Sequence, residues 1–338
     1  MLPAGLTERD NRPRWDGRRG RYEVWFLTMS DPGGRQGYWI RYAVRAPVAG
    51  PPEVRLWFAR FDRERPGRTF GIHGPPPGEP AGSSPRDLFL DGALHWGDAV
   101  LEPGAARGVL AGSGHHVRWD VRWPTGQPSF RILPAPLYRG GLAPTRPIAP
   151  NPDLRFAGTV GVDGEERSVD GFAGQQGHVE GSRHAERWAW ASCTGFDREG
   201  YAFQVLSAQG RRGPILTPFL SFAGIRIDGR WVRLRGTRRV RTWSLGSWHL
   251  SLASKSYRLE GEVWAAPEAM LRARYLDPDD TPRYCHHSEV ASSRLLLWER
   301  RAGGWQEVAA LTSEGTTQSE WAGRTPAPPA MAEHVEVA

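Results

Sequence analysis

Glycine and proline punctuate this chain at intervals too short for long helices. Of its 338 residues, 41 are Gly and 29 are Pro, and either residue interrupts a helix. Between the interruptions lie short runs rich in aromatic and β-branched residues, which is the pattern of strands. Arg21 to Thr28 is one such run, closed by the turn Ser30-Asp31-Pro32-Gly33-Gly34; Gly37 to Val44 and Val54 to Phe61 follow it. His116 to Trp123 alternates without a break, with Val117, Trp119, Val121 and Trp123 on one face and Arg118, Asp120 and Arg122 on the other. That predicts a sheet with one buried and one wet face.

Strand signals resume after a proline-rich stretch from Pro134 to Pro152, the best candidate for a domain boundary. They include Leu154 to Val162, Trp188 to Phe196, Tyr201 to Ala208, Trp248 to Ala253, Arg294 to Glu299 and Trp305 to Leu311. The two halves echo one another. Tyr22 to Thr28, a turn and Gly37-Tyr38-Trp39 correspond to Arg187 to Thr194, a turn and Gly200-Tyr201-Ala202. Each half is long enough to close a barrel of about eight strands, whose interior can hold one small ligand. The expected organisation is an arm over 1–20, one antiparallel β-barrel over 21–150, a second over 151–325 and a flexible tail over 326–338. The segment from His73 to Arg86, rich in Pro and Gly, reads as a loop.

Composition excludes several classes. No stretch approaches the ~18 apolar residues of a membrane span, and the arginine-rich start lacks the apolar core of a secretory signal. Two cysteines, Cys193 and Cys285, are too few for a disulfide framework, so a cytoplasmic protein is expected. The formal charge of +7 comes almost wholly from Arg, with Lys255 the single lysine. That bias reflects base composition before function, and no nucleic-acid partner is read from it. The clusters Arg9 to Arg21 and Arg226 to Arg241 read as water-facing strand residues, with peripheral contact to an anionic membrane as the alternative. No P-loop, no G-x-S-x-G and no helix-opening G-x-G-x-x-G is present. The adjacent pairs His115-His116 and His286-His287 have no metal-ligand spacing, so no metal and no other cofactor is expected.

Several segments carry a resemblance. They are Gly174 to Cys193 (GQQGHVEGSRHAERWAWASC), Gly37-Tyr38-Trp39-Ile40-Arg41-Tyr42, Asn151-Pro152-Asp153 through Val162-Asp163-Gly164, Tyr284-Cys285-His286-His287-Ser288-Glu289, and Ser319-Glu320-Trp321-Ala322-Gly323-Arg324. Together they resemble the AttH-like, lipocalin-like double-barrel superfamily that includes carotenoid hydratases, tocopherol cyclases and Diels-Alderase-type cyclases. The resemblance implies tandem calycin-like barrels, an apolar ligand site at or between them, and isoprenoid- or polyketide-like substrates handled without metal or nucleotide. No member's catalytic residues align residue by residue, and fold alone does not decide function.

The residues themselves offer candidates. His178, Glu180, His184 and Glu186 crowd nine positions beside Trp188 and Trp190, and in a strand His178 and Glu180 share a face. A carboxyl group in an apolar cavity stays protonated more readily and can protonate an alkene. Glu180 is therefore the expected acid, assisted by His178 and His184; the alternative is a loop whose charges sit in water or in a structural ion pair. Trp25, Trp39, Trp57, Trp188, Trp190 and Trp248 would line the cavity, since indole faces stabilise cations, although most Trp in β-proteins are packing residues. Arg41 would hold a polar ligand group or form a structural ion pair. Asp62, Glu262 and Glu320 each end or interrupt a strand and are further inward-facing carboxylates or rim residues. The reading is an all-β protein of two barrels that binds an apolar small molecule, as a cofactor-free hydratase or cyclase or, alternatively, as a lipid carrier.

Overall fold

The computed structural model describes residues 9–78, 89–90, 93–139, 143–237, 240–244, 246–326 and 336–337. The remainder, including most of the expected loop up to Arg86 and most of the expected tail, lies outside the described residues. The first unit contains β1 (Arg21–Ser30), β2 (Gln36–Ala46), β3 (Glu53–Asp62), β4 (Phe70–Gly74), β5 (Phe89–Leu90), β6 (Ala93–Trp96), β7 (Ala99–Glu102), β8 (Ala105–Gly112), β9 (His115–Arg122), β10 (Thr145–Arg155), β11 (Ala157–Val162), β12 (Glu165–Ser168) and β13 (Ala173–Gly181). They form two antiparallel sheets, in the orders β10-β13-β1-β2-β3-β4 and β12-β11-β9-β8-β7-β6-β5. The sheets face each other across one core that includes Trp25, Leu27, Tyr38 and Tyr42 from the first and Trp96, Trp119 and Val121 from the second.

The second unit contains β14 (Arg187–Cys193), β15 (Ala202–Gln209), β16 (Arg211–Arg212), β17 (Ile215–Leu216), β18 (Leu220–Ile227), β19 (Arg230–Thr237), β20 (Val240–Ser244), β21 (Ser247–Ala253), β22 (Tyr257–Trp264), β23 (Leu271–Leu276), β24 (Pro282–Arg301), β25 (Gly304–Gly323) and β26 (Glu336–Val337). Here the hydrogen-bonded circuit β14-β15-β18-β19-β21-β22-β24-β25 returns to β14 and closes an eight-stranded antiparallel barrel. The tandem β-barrel architecture read from the strand spacing is the one observed.

Two particulars differ from the sequence reading. Strands β10 to β13 pair with β1 and β9, so the first unit runs to Gly181 rather than ending at 150. From Thr145 the proline-rich stretch is itself strand β10 of that unit, and the changeover is the short link before β14. Within the expected tail, Glu336–Val337 adds a parallel pair of residues to β23.

The strand period explains how the site arises. On β9, Val117, Trp119 and Val121 are buried while Arg118, Asp120 and Arg122 are exposed, as alternation demands. On β1 and β2 nearly every residue is buried. There the odd positions Trp25, Leu27 and Met29 of β1 and the even positions Tyr38, Ile40 and Tyr42 of β2 face the first core. Their neighbours Phe26, Trp39 and Ala43 face the second unit and join Trp188, Leu271, Tyr275 and Ala322 in a cluster between the units. Covering both faces of one sheet welds the two units together.

Candidate functional site

The site is a cavity of about 960 Å³ between the outer face of the first sheet and the outer wall of the closed barrel. The sheet contributes Val24, Phe26, Trp39, Arg41, Gly177 and Val179; the barrel contributes Trp188, Trp190, Gln204, Leu206, Phe222 and Glu320. Its size suits a drug-sized apolar ligand. The barrel interior is filled by side chains including Phe203, Val205, Trp248, Leu250, Leu295 and Leu311. The expectation of a guest inside a barrel lumen is thereby corrected: the space lies between the barrels. One part of the wall is an apolar cluster of Phe130, Ile132, Leu133, Leu206 and Phe222. Gly177 has no side chain because a Cβ there would meet the Phe26 ring at 2.1 Å.

Another part of the wall is polar and ordered by direct contacts. Glu320 lies directly across the ladder from Trp190 on β14 and from His287 on β24. Its carboxylate accepts a hydrogen bond from Trp188 Nε1 at 3.0 Å and lies 3.1 Å from His287 Nδ1. His287 Nε2 lies 2.7 Å from Glu289, two residues along the same strand face. Three ionisable groups thus form a chain that reaches the cavity at Glu320. Burial disfavours a charged His287, but hydrogen bonds and charge from Glu289 and Glu320 outweigh it and raise the imidazole to about 9. Burial pushes Glu289 up to about 7 against the pull of His287. Burial also acts to raise Glu320, yet hydrogen bonding and charge from His287, the Trp188 bond and the nearby Arg41 charge leave it below the usual carboxylate range. At neutral pH Glu320, at the cavity, is a carboxylate and His287, behind it, is an imidazolium.

His184 completes the polar wall. Its ring stacks on Tyr22 at 4.4 Å, on Trp188 at 5.6 Å and on Tyr275 at 5.7 Å. Asp277 holds its Nδ1 at 2.7 Å and its backbone N–H at 2.8 Å, and is itself paired with Arg283 at 2.9 Å. Nε2 is therefore the nitrogen available to a ligand. Arg41 is 7% exposed, lies over the Tyr275 ring at 4.2 Å and the Trp57 ring at 5.2 Å, and leaves Nε and Nη1 without a hydrogen-bond partner.

The structure divides the sequence candidates. His184, Trp188, Trp190, Trp39 and Arg41 line the cavity. Glu180 and His178 do not: they share a face, as expected, but it is the face opposite Gly177 and Val179. There His178 stacks on Trp25 and meets Glu23 at 2.7 Å and the Asp10 carbonyl at 2.6 Å, while Glu180 pairs with Arg146 at 2.6 Å and Arg14 at 3.5 Å. Arm residues Asp10 to Trp15 plug that end of the first unit, with the Arg14 and Trp15 backbone N–H groups donating to Glu23. The assignment of Glu180 as the acid is corrected accordingly, and the structural ion pair weighed against it is what is observed. Trp25 belongs to the first core, Trp248 to the barrel core, and Trp57 stands behind Arg41 in the cluster between the units. Of the further carboxylates, Glu320 reaches the cavity, Asp62 pairs with Arg60 and Arg65, and Glu262 faces His249 at the surface. The basic clusters are partly spent in contacts, with Arg226 paired to Asp153 and Arg233 bonded to the carbonyls of Arg131 and Leu133.

Cys285, His287 and Glu320 place one potential metal-ligand atom each within 4.8 Å of one another. The chemistry of the set is unfavourable to a cation. Both His287 nitrogens are engaged by carboxylates, and burial together with the Glu320 charge pushes the Cys285 thiol well up. Cys193 and Cys285 are both free and buried, one in the barrel core and one in the cluster between the units. No helix among the described residues is long and apolar enough to cross a membrane.

The fold is that of the AttH-like, lipocalin-like double barrels. It is similar to that of a candidate AttH protein of Nitrosomonas europaea, with TM-score 0.53 and 14% identity over 90% of this chain and 93% of that one. It is also similar to CghA, solved with Sch210972, with TM-score 0.51 and 11% identity over 89% of this chain and 88% of that one. In sequence, an uncharacterised protein of Mycobacterium tuberculosis H37Rv is 28% identical over 326 residues, covering 90% of this chain and 93% of the relative. No family model matches the chain.

Proposed function

We propose that the chain binds an apolar small molecule, isoprenoid- or polyketide-like, between its two units and acts on it by cofactor-free proton transfer, as a hydratase or cyclase. The observation that carries this reading is the Glu320–His287–Glu289 chain, whose outer carboxylate reaches an otherwise largely apolar cavity. A carrier needs apolar walls; it has no use for three coupled ionisable groups whose burial is costly. In the resting state Glu320 is ionised and accepts a proton from substrate or water, while the imidazolium behind it compensates the charge. Arg41, on the cavity wall, holds a polar group of the ligand. His184, oriented by Asp277, is the second proton-transfer group and returns a proton at another atom of the ligand.

The test begins with mass spectrometry of the small molecule that co-purifies with the protein, followed by its conversion by wild type and Glu320→Gln. The variant keeps the shape and one acceptor oxygen but cannot take the proton. Turnover should fall by ~10²–10⁴ while ligand binding is retained. Equal turnover by wild type and variant sinks the assignment of Glu320. Tight binding with no chemical change by either protein sinks the enzymatic reading and leaves the carrier.

A further inference from the structure

Arg41 stands out among the charged groups around the cavity. Among the described residues, Glu320 is matched by His287, Asp277 by Arg283 and His184, and Glu186 by Arg211, Arg283 and Arg324. Among the described residues no carboxylate forms an ion pair with Arg41, although it is 7% exposed and its Nε and Nη1 are buried without a hydrogen-bond partner. A buried cation left in that state is costly unless something completes it. The rings of Tyr275, Trp57 and Trp39 lie 4.2, 5.2 and 5.8 Å from its guanidinium carbon. The three rings surround the guanidinium, its Nε and Nη1 are enclosed, and Arg41 contributes to the cavity wall. A guanidinium edge matches a planar two-oxygen anion by a bidentate fork. A phosphate or sulfate would ask for further donors, and the neighbouring Glu320 carboxylate would oppose a second negative charge.

We propose that Arg41 anchors a carboxylate of the ligand, so that the substrate class is an apolar carboxylic acid whose chain lies against the Phe130–Phe222 side of the cavity. This rests on the reading of the cavity as a ligand site and adds the head group.

The experiment titrates the full chain with a fluorescent polyene carboxylic acid (cis-parinaric acid) and, separately, with its methyl ester, at neutral pH. Wild type should bind the acid at least ~tenfold tighter than the ester, the worth of a charge-assisted pair. In Arg41→Met the preference for the acid over the ester should disappear. The comparison of acid with ester in wild type needs no variant, so a misfolded Arg41→Met does not spoil the test; Arg41→Lys, which keeps the charge and loses the fork, should retain part of the preference. Equal binding of acid and ester by wild type overturns the carboxylate assignment and leaves the cavity reading intact. An acid preference that survives in folded Arg41→Met overturns it as well. Failure of both probes to bind saturably overturns the head group and the ligand cavity together.

Discussion

Glu289, His287 and Glu320 are joined by two short contacts, 2.7 and 3.1 Å, so the protonation of each is set by the others. The sign of the consequence follows from the shifts. His287 is raised from 6.5 to about 9, so its contribution to stability is full below pH 6.5 and drains away as the pH rises to about 9. Glu289, raised from 4.5 to about 7, acts in the same direction over a lower window. Denaturant midpoints of wild type and His287→Gln, measured from about pH 6.5 to about pH 9, should therefore converge as the pH rises. The difference lost is at most ~3 kcal/mol. A gap that stays constant across the window contradicts an imidazolium at this position. The same residues show where sequence reading stops. Alternation correctly put His178 and Glu180 on one face, but period two cannot say which face of a doubly covered sheet looks at a cavity. Glu320 was legible as a carboxylate interrupting a strand; its partner His287, 33 positions away in sequence, was not.

At the scale of elements, β24 and β25 are each 20 residues long, whereas the sequence signal marks only Arg294 to Glu299 and Trp305 to Leu311. The missing portions, Tyr-Cys-His-His-Ser-Glu from Tyr284 and Thr-Gln-Ser-Glu from Thr317, are polar yet buried. Hydropathy hides such strands because it scores side-chain polarity and not the partners, such as Glu289 for His287 and Ser30 for Gln318, that let polar groups be buried. The same hairpin meets the first unit at a tight backbone contact. Gly315 has φ +72°, and a Cβ there would lie 1.9 Å from the Gly34 carbonyl oxygen; Gly34 has φ +66° and the reciprocal contact with the Glu314 carbonyl oxygen, again 1.9 Å. Gly315→Ala should cost more than ~1 kcal/mol in chemical denaturation, through strain in the left-handed region and forced separation of the units. A loss below that size would show that the two loops can part without penalty.

At the scale of the molecule, the tandem β-barrel architecture was readable from strand spacing. The position of the ligand space was not, because it depends on how two closed surfaces dock. Once docked, the outer face of β1, β2 and β13 and the outer wall of β14, β15 and β18 enclose about 960 Å³, while the barrel interior is packed with side chains. The cavity wall takes polar groups from both units: Arg41 from the first, His184 from the link between them, and Glu320 from the second. A crystal structure of the full chain soaked with the polyene carboxylic acid tests this directly. The probe should lie between the units, with its carboxylate on Arg41 and its chain along Phe130 and Phe222. Electron density for the probe inside the closed barrel, or only on the outer surface, would contradict the account.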